Sequence, residues 1–354
     1  MKKELIKIFQ VAVVFIGTVV GAGLASGKEI TQFFTSFGVM SFISIIICGI
    51  FYIAMGTIIS KIGMKYKLKS YGDVIHKISP NLFGKITGGI TTIYLISSAS
   101  IILAGSGALI NQFFGLPKIV GTLIMMGIAI FFLFRGTNGL IEVNSFIVPT
   151  LIFTITTITI LYFILCRDLI TFDNILSFEA PKDKGLVLST ILYAGYNILC
   201  CSGVLVPLST RIKNTKTMTL GVVSGALGLT ILCLMINLLL TINQPYIYQY
   251  EIPLLFVSQR FSYILQALLL MVILLEMFST EVSDVYSISK TLEEIFKMNF
   301  KKSVILVIFI AFPISLLGFG NLISTLYPLF GFLSLIFVFQ CVKFYLKNRT
   351  YLNS

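Results

Sequence analysis

Long apolar stretches, each ended by a cluster of charge or by Gly and Pro, recur along the whole chain. They fall at 8–36, 37–60, 85–110, 118–134 and 145–166, and again at 185–208, 218–242, 261–288, 303–319 and 321–345. A helix needs about 20 mainly apolar residues to cross the hydrocarbon of a bilayer. The pattern therefore predicts about ten transmembrane helices, although 303–345 also admits a single re-entrant hairpin. The first five runs occupy 1–166 and the last five 185–354, with an outward loop at 167–184 between them. Five is odd, so the second set enters the membrane from the opposite face. That is the arithmetic of an inverted-topology repeat. The expected fold class is an all-α membrane protein built as a 5+5 inverted repeat, with broken helices in spans one and six.

The breaks are read from residues that propagate a helix badly. Span one contains GTVVGAGLASG at 17–27, and each of its glycines costs a continuous helix about 1 kcal/mol relative to alanine. Close packing is the plain alternative, because Gly17 and Gly21 fit a small-xxx-small spacing. Irregular backbone at mid-depth, by contrast, survives only where it is buried or lines a cavity. Lys28 and Glu29 follow at once and favour a second half-helix that reaches an aqueous vestibule. Span six reads YAGYN at 193–197, then Cys200, Cys201, Ser202 and Gly203, with Pro207 beyond. Interruptions at corresponding places in two halves point to a midplane site.

Span eight concentrates polarity in LLEMFSTEVSDVYSIS, 274–289. Ionisable groups inside a membrane helix usually face a cavity or a partner. Glu276 is the deepest of them, while Glu281 and Asp284 lie nearer the cytoplasmic end, where solvation is the plain reading. The hydroxyls of Ser279 and Thr280 suit a hard cation when backbone carbonyls complete the shell, but such hydroxyls also commonly bond their own helix. In span three, Tyr94, Ser97, Ser98 and Ser100 form a polar stripe that suits either a cavity wall or helix packing. Pro149, Pro313 and Pro328 are expected to kink their helices.

Composition agrees with the pattern. Of 354 residues 57% are hydrophobic and 11% charged, against roughly a quarter charged in soluble domains. Most of the 26 Lys and Arg residues lie at 2–7, 61–85, 135, 211–216, 290–302 and 343–349, all on one side of a ten-span chain. The other side holds Lys118, Arg167, Lys182, Lys184 and Arg260. Basic loops face the cytoplasm, so both termini are expected there, in the inner membrane of a bacterial cell. The net charge of +12 is thus a topology signal, and a nucleic-acid role drops out. His76 is the single histidine, and the six cysteines lack the paired spacing of a metal site. The first apolar run has no cleavage site after it, so no cleavable signal peptide is expected. There is no catalytic constellation and no cofactor-binding motif, which argues against an enzyme. A channel would want a repeated pore-lining ring, and none is seen.

The stretch GTVVGAGLASGKEITQFF at 17–34, together with the ten spans, resembles the YkvI-type membrane proteins. These are similar in turn to the amino acid–polyamine–organocation superfamily, which shares the leucine-transporter fold. YAGYN and the following loop STRIKNTK at 209–216 are similar to that superfamily's broken sixth helix and next loop. The resemblance implies a bundle of spans one, two, six and seven rocking against a scaffold. It implies substrate contacts from Val19, Gly21, Ala22 and Gly23 on span one and from Tyr193, Ala194, Tyr196 and Asn197 on span six. Tyr94 and Ser98 of span three join them as candidate cavity lining. It also implies one sodium site, formed by the carbonyls of Gly17 and Val20 with Ser279 and Thr280. Leu24 stands where an amide ligand for a second sodium would be expected. Span five lacks the lysine of proton-coupled variants, which leaves Glu276 as the proton-coupled alternative.

The reading is a cation-coupled secondary transporter for a small, amino-acid-like zwitterion, with alternating access around a midplane site. The coupling ion is sodium or a proton. Glycines at 21 and 23 would let a solute carboxylate approach the amides after the break, and carbonyls freed near Tyr193 and Ala194 would accept from its ammonium group. The rival on the same scaffold is a ligand-sensing receptor like the spore-germinant receptor subunits. The expected partners are a small solute and the lipid bilayer; the oligomeric state has no signature in the sequence.

Overall fold

The computed structural model describes residues 2–68, 71–79, 82–135, 140–178, 180–182 and 184–353, and among these the chain is helical without a strand. Span one is assembled from α1 (Lys2–Val19), α2 (Ala22–Ala25) and α3 (Lys28–Phe33), followed by span two, α4 (Met40–Lys65). A short surface helix, α5 (Tyr71–Ile78), precedes spans three to five: α6 (Leu82–Phe114), α7 (Lys118–Arg135) and α8 (Leu140–Leu165). After α9 (Phe172–Ser177) in the loop come spans six and seven, α10 (Leu186–Ile212) and α11 (Thr215–Thr241). A loop helix, α12 (Pro253–Gln259), leads to α13 (Tyr263–Phe296), α14 (Phe300–Ser315), α15 (Phe319–Lys347) and the terminal turn α16 (Arg349–Asn353).

Eight of these helices are long and apolar enough to span a bilayer. The other two crossings are span one, which is divided, and α14, which has 16 residues. The stretch 303–345 is therefore two helices turned at Gly318 (φ +91°), the second of which, with 29 residues, is long enough to cross on its own. Pro149, Pro207, Pro313 and Pro328 all lie inside helices that continue past them.

Each helix turns one face to the bundle and one to lipid. On α4, Ile45, Cys48, Tyr52, Met55 and Ile59 are buried, while Ile43, Ile46, Ile47 and Ile50 are exposed. Such an apolar belt would drive association in water; against acyl chains it is the matching surface. Packing follows a regular scheme. α1 lies against α11 and α10 against α4; α13 lies against both α6 and α8, and α6 also against α15. Replacing each span by the one five places along reproduces the same set of pairs.

Candidate functional site

The centre of the bundle is organised by span one, which breaks twice. α1 stops at Val19, Gly21 is extended (φ −86°, ψ −170°), and its amide turns back onto the Val19 carbonyl at 2.9 Å. α2 is a single turn, shorter than the half-helix expected from sequence. The chain breaks again at Ser26 and Gly27, whose φ of +80° is left-handed. This second joint is tied to the outer loop, because the Leu254 amide of α12 donates to the Ser26 carbonyl at 3.0 Å.

The glycines of this segment have separate reasons. A Cβ on Gly17 would press on Val148 of α8 at 2.7 Å, so this glycine serves packing. One on Gly21 would meet nothing within 4 Å, so Gly21 borders open space. At Gly23 a Cβ would coincide with the Glu29 carboxylate. The ground expected for a solute carboxylate therefore holds a carboxylate of the chain itself.

Glu29 is the residue that sequence reasoning missed. Its place next to Lys28 suggests a pair facing water, but consecutive helical residues point about 100° apart, and the two side chains part. Lys28 points to the outer cavity and donates to the Tyr250 carbonyl at 2.9 Å. Glu29 turns into the bundle and is 2% exposed. The Tyr193 and Tyr327 hydroxyls lie beside its carboxylate, yet Oε2 and the Tyr193 hydroxyl close no hydrogen bond. Glu29 takes part in neither of the ion pairs Lys118–Glu251 and Lys290–Glu293. The available signal was a carboxylate four and five residues before two aromatics, Glu29 ahead of Phe33 and Phe34, within an otherwise apolar span.

Aromatic rings enclose this carboxylate. Tyr193 packs on Phe33 at 5.3 Å and edge-on to Phe34 at 5.0 Å between centroids. Tyr327 stacks on Tyr196 at 4.3 Å. Tyr94 of α6 donates to the Tyr196 hydroxyl at 3.4 Å and accepts from the Cys200 thiol at 2.9 Å. Above them, on the side of the 167–184 loop, opens a cavity of about 790 Å³. Lys28, Gln32, Phe33, Leu192, Tyr250 and Pro328 contribute to its wall, and the Phe33 ring also packs on Tyr193 and Tyr327 beside Glu29.

Span six departs from expectation. α10 is continuous through YAGYN, so no carbonyl is freed at Tyr193 or Ala194. The Asn197 amide, which needs a partner in lipid, donates back to the Tyr193 carbonyl at 3.1 Å. Gly195 is required by α15: a Cβ there would stand 2.6 Å from the Ser334 hydroxyl. The polar, glycine-bearing motif is thus satisfied inside a regular helix. Tyr193 faces α3 and Tyr196 faces Tyr94 and Tyr327, and Ala194 and Asn197 are buried like them. Val19 and Ala22 are buried beside the break at 3% and 2% exposure.

On α13, Glu276, Glu281 and Asp284 are 2%, 0% and 9% exposed. The solvated reading of Glu281 and Asp284 fails because the helix runs on to Phe296, which keeps both inside the bundle. The Ser98 hydroxyl lies beside the Asp284 carboxyl, so Ser98 faces α13 while Tyr94, one turn earlier, faces Tyr196. α2 packs against α13, which brings the span-one break towards the helix that carries Ser279 and Thr280. Thr280 donates to the Glu276 carbonyl at 3.0 Å, and Glu276 Oε1 is unpaired. Among the described residues no three His, Cys, Asp or Glu side chains converge as a metal site would require.

This architecture has known counterparts. Residues 5–321 match the family model described as spore germination protein. The chain belongs to that family. The chain is also 31% identical over 336 residues to the membrane protein YkvI of Bacillus subtilis (strain 168), covering 93% of each. Among solved structures it is similar to inward-facing Mhp1, with TM-score 0.68 and 14% identity over 92% of this chain and 73% of that one. It is also similar to MhsT in complex with L-phenylalanine, with TM-score 0.64 and 16% identity over 89% and 79%. The likeness places this member of the spore germination protein family in the leucine-transporter fold, as the broken first span implied.

Proposed function

We propose that this chain is a cation-coupled secondary transporter of a small, amino-acid-like solute, working by alternating access around the break in span one. The observation that carries the reading is the interruption at Val20–Gly21, placed in the middle of the bundle beside buried carboxylates and tyrosines. Irregular backbone at such depth is tolerated where it serves a cavity. Two solved proteins of like fold support it, one described as a nucleobase-cation-symport transporter and one holding L-phenylalanine. The exchange of packing pairs between spans five places apart supports an inverted repeat, and the basic residues gathered at 2–7, 61–85 and 343–349 support termini on the cytoplasmic side of the cell membrane.

For coupling, the carbonyls of Gly17 and Val20 with the hydroxyls of Ser279 and Thr280 form the candidate sodium site. Buried Glu276, one turn earlier, is the candidate proton carrier. Uptake by purified protein in liposomes tests both. If sodium couples, an inward sodium gradient drives accumulation and Thr280→Ala reduces the drive at least several-fold. If protons couple, an imposed pH gradient drives it and Glu276→Gln abolishes it. If neither gradient produces accumulation of any amino acid or amine, the transporter reading is wrong. The second reading, a ligand-sensing receptor, is favoured by the family's description as germination proteins; binding without uptake would establish it.

A further inference from the structure

We infer that Glu29 is the anchoring group of the solute site and that its ligand is an organic ammonium group, recognised without need of a free carboxylate. The inference rests on the proposal that a small solute enters this bundle. Three observations carry it. Glu29 is 2% exposed, with Oε2 lacking any hydrogen bond, and a carboxylate buried without a cation is costly. The groups that face it are Tyr193, Tyr196 and Cys200 from α10, Tyr327 from α15 and Cys233 from α11. None is cationic, and Lys28 on its own helix is engaged elsewhere. The counter-charge that would hold Glu29 ionised here is therefore one that arrives with a ligand.

The walls decide which cation. A hard metal ion wants six or more oxygens, and one carboxylate among phenol rings does not supply them. Phe33, Phe34, Tyr193, Tyr196 and Tyr327 instead offer aromatic faces and edges around the carboxylate, the environment that attracts ammonium groups on carbon skeletons. Space is present beside Gly21, where a methyl group would meet nothing within 4 Å. Glu29 Oε1 already covers Gly23, so a solute carboxylate is excluded from the ground it would otherwise take.

The test uses the purified full chain and thermal-shift titration with the common amino acids, their methyl esters, their decarboxylated amines and their N-acetyl derivatives. For whichever parent binds, the ester and the amine should bind within about threefold of it, while the N-acetyl form should lose at least tenfold. Glu29→Gln should lose at least tenfold for the amines, and Glu29→Asp should recover part of it. An N-acetyl form as tight as its parent, esters and amines that fail where the parent binds, or no shift with any amine would overturn the assignment. If Glu29→Gln does not fold, the derivative series on the unaltered protein still decides. Binding with this profile but no uptake would refute transport alone and leave the ammonium site standing.

Discussion

At the scale of single residues, the glycines of spans one and six do different work from what their spacing suggests. Gly195 sits against the Ser334 hydroxyl of α15, so its substitution is an overpacking problem. Gly195→Val should lower stability by about 1–3 kcal/mol, read as a reduced Tm of the purified protein, with ligand affinity affected only through folding. Gly23→Ala should do the reverse. Its new methyl displaces the Glu29 carboxylate, the movable end of a side chain, so Tm should shift little while affinity for an amine ligand falls at least tenfold. Equal losses of Tm and affinity in both variants would remove this distinction. Neither role can be seen in sequence, because a glycine that admits a neighbouring helix and one that admits a carboxylate are written with the same letter.

At the scale of elements, most of the chain was legible. Ten crossings follow from apolar run length, and the break in span one from glycine density, because both depend on local properties of the chain. Span six was misread since Gly195 and Asn197 are poor helix formers in isolation, whereas the Asn197–Tyr193 bond and the α15 contact arise only on folding. Glu29 was misplaced for a related reason. Its burial depends on the turn at Ser26–Gly27, which sets the direction of α3. That turn can be tested directly. Gly27→Ala puts a side chain into a left-handed backbone, worth roughly 1–2 kcal/mol, and pushes its Cβ towards Leu254 Cγ at 2.8 Å. The expected result is a lower Tm together with a weakened amine response, because α3 re-aims Glu29. An unchanged response would show that Glu29 is held by its tyrosines alone.

At the scale of the whole molecule, orientation is the claim on which the direction of access depends. In a cysteine-free background, single cysteines at the exposed positions 67 and 213 should react with an impermeant reagent only from the cytoplasm, and one at 173 only from outside. Reaction at 173 from the cytoplasm would invert the vestibule and the topology together. The two halves share a packing scheme but not a mechanical character. Span one is an elbow with two joints, and the outer of these is bolted to the loop helix α12 by the Leu254–Ser26 bond. Span six is a rod. Bending falls to one arm, pivoting to the other, and any pull on the outer loop is delivered to the joint that aims Glu29.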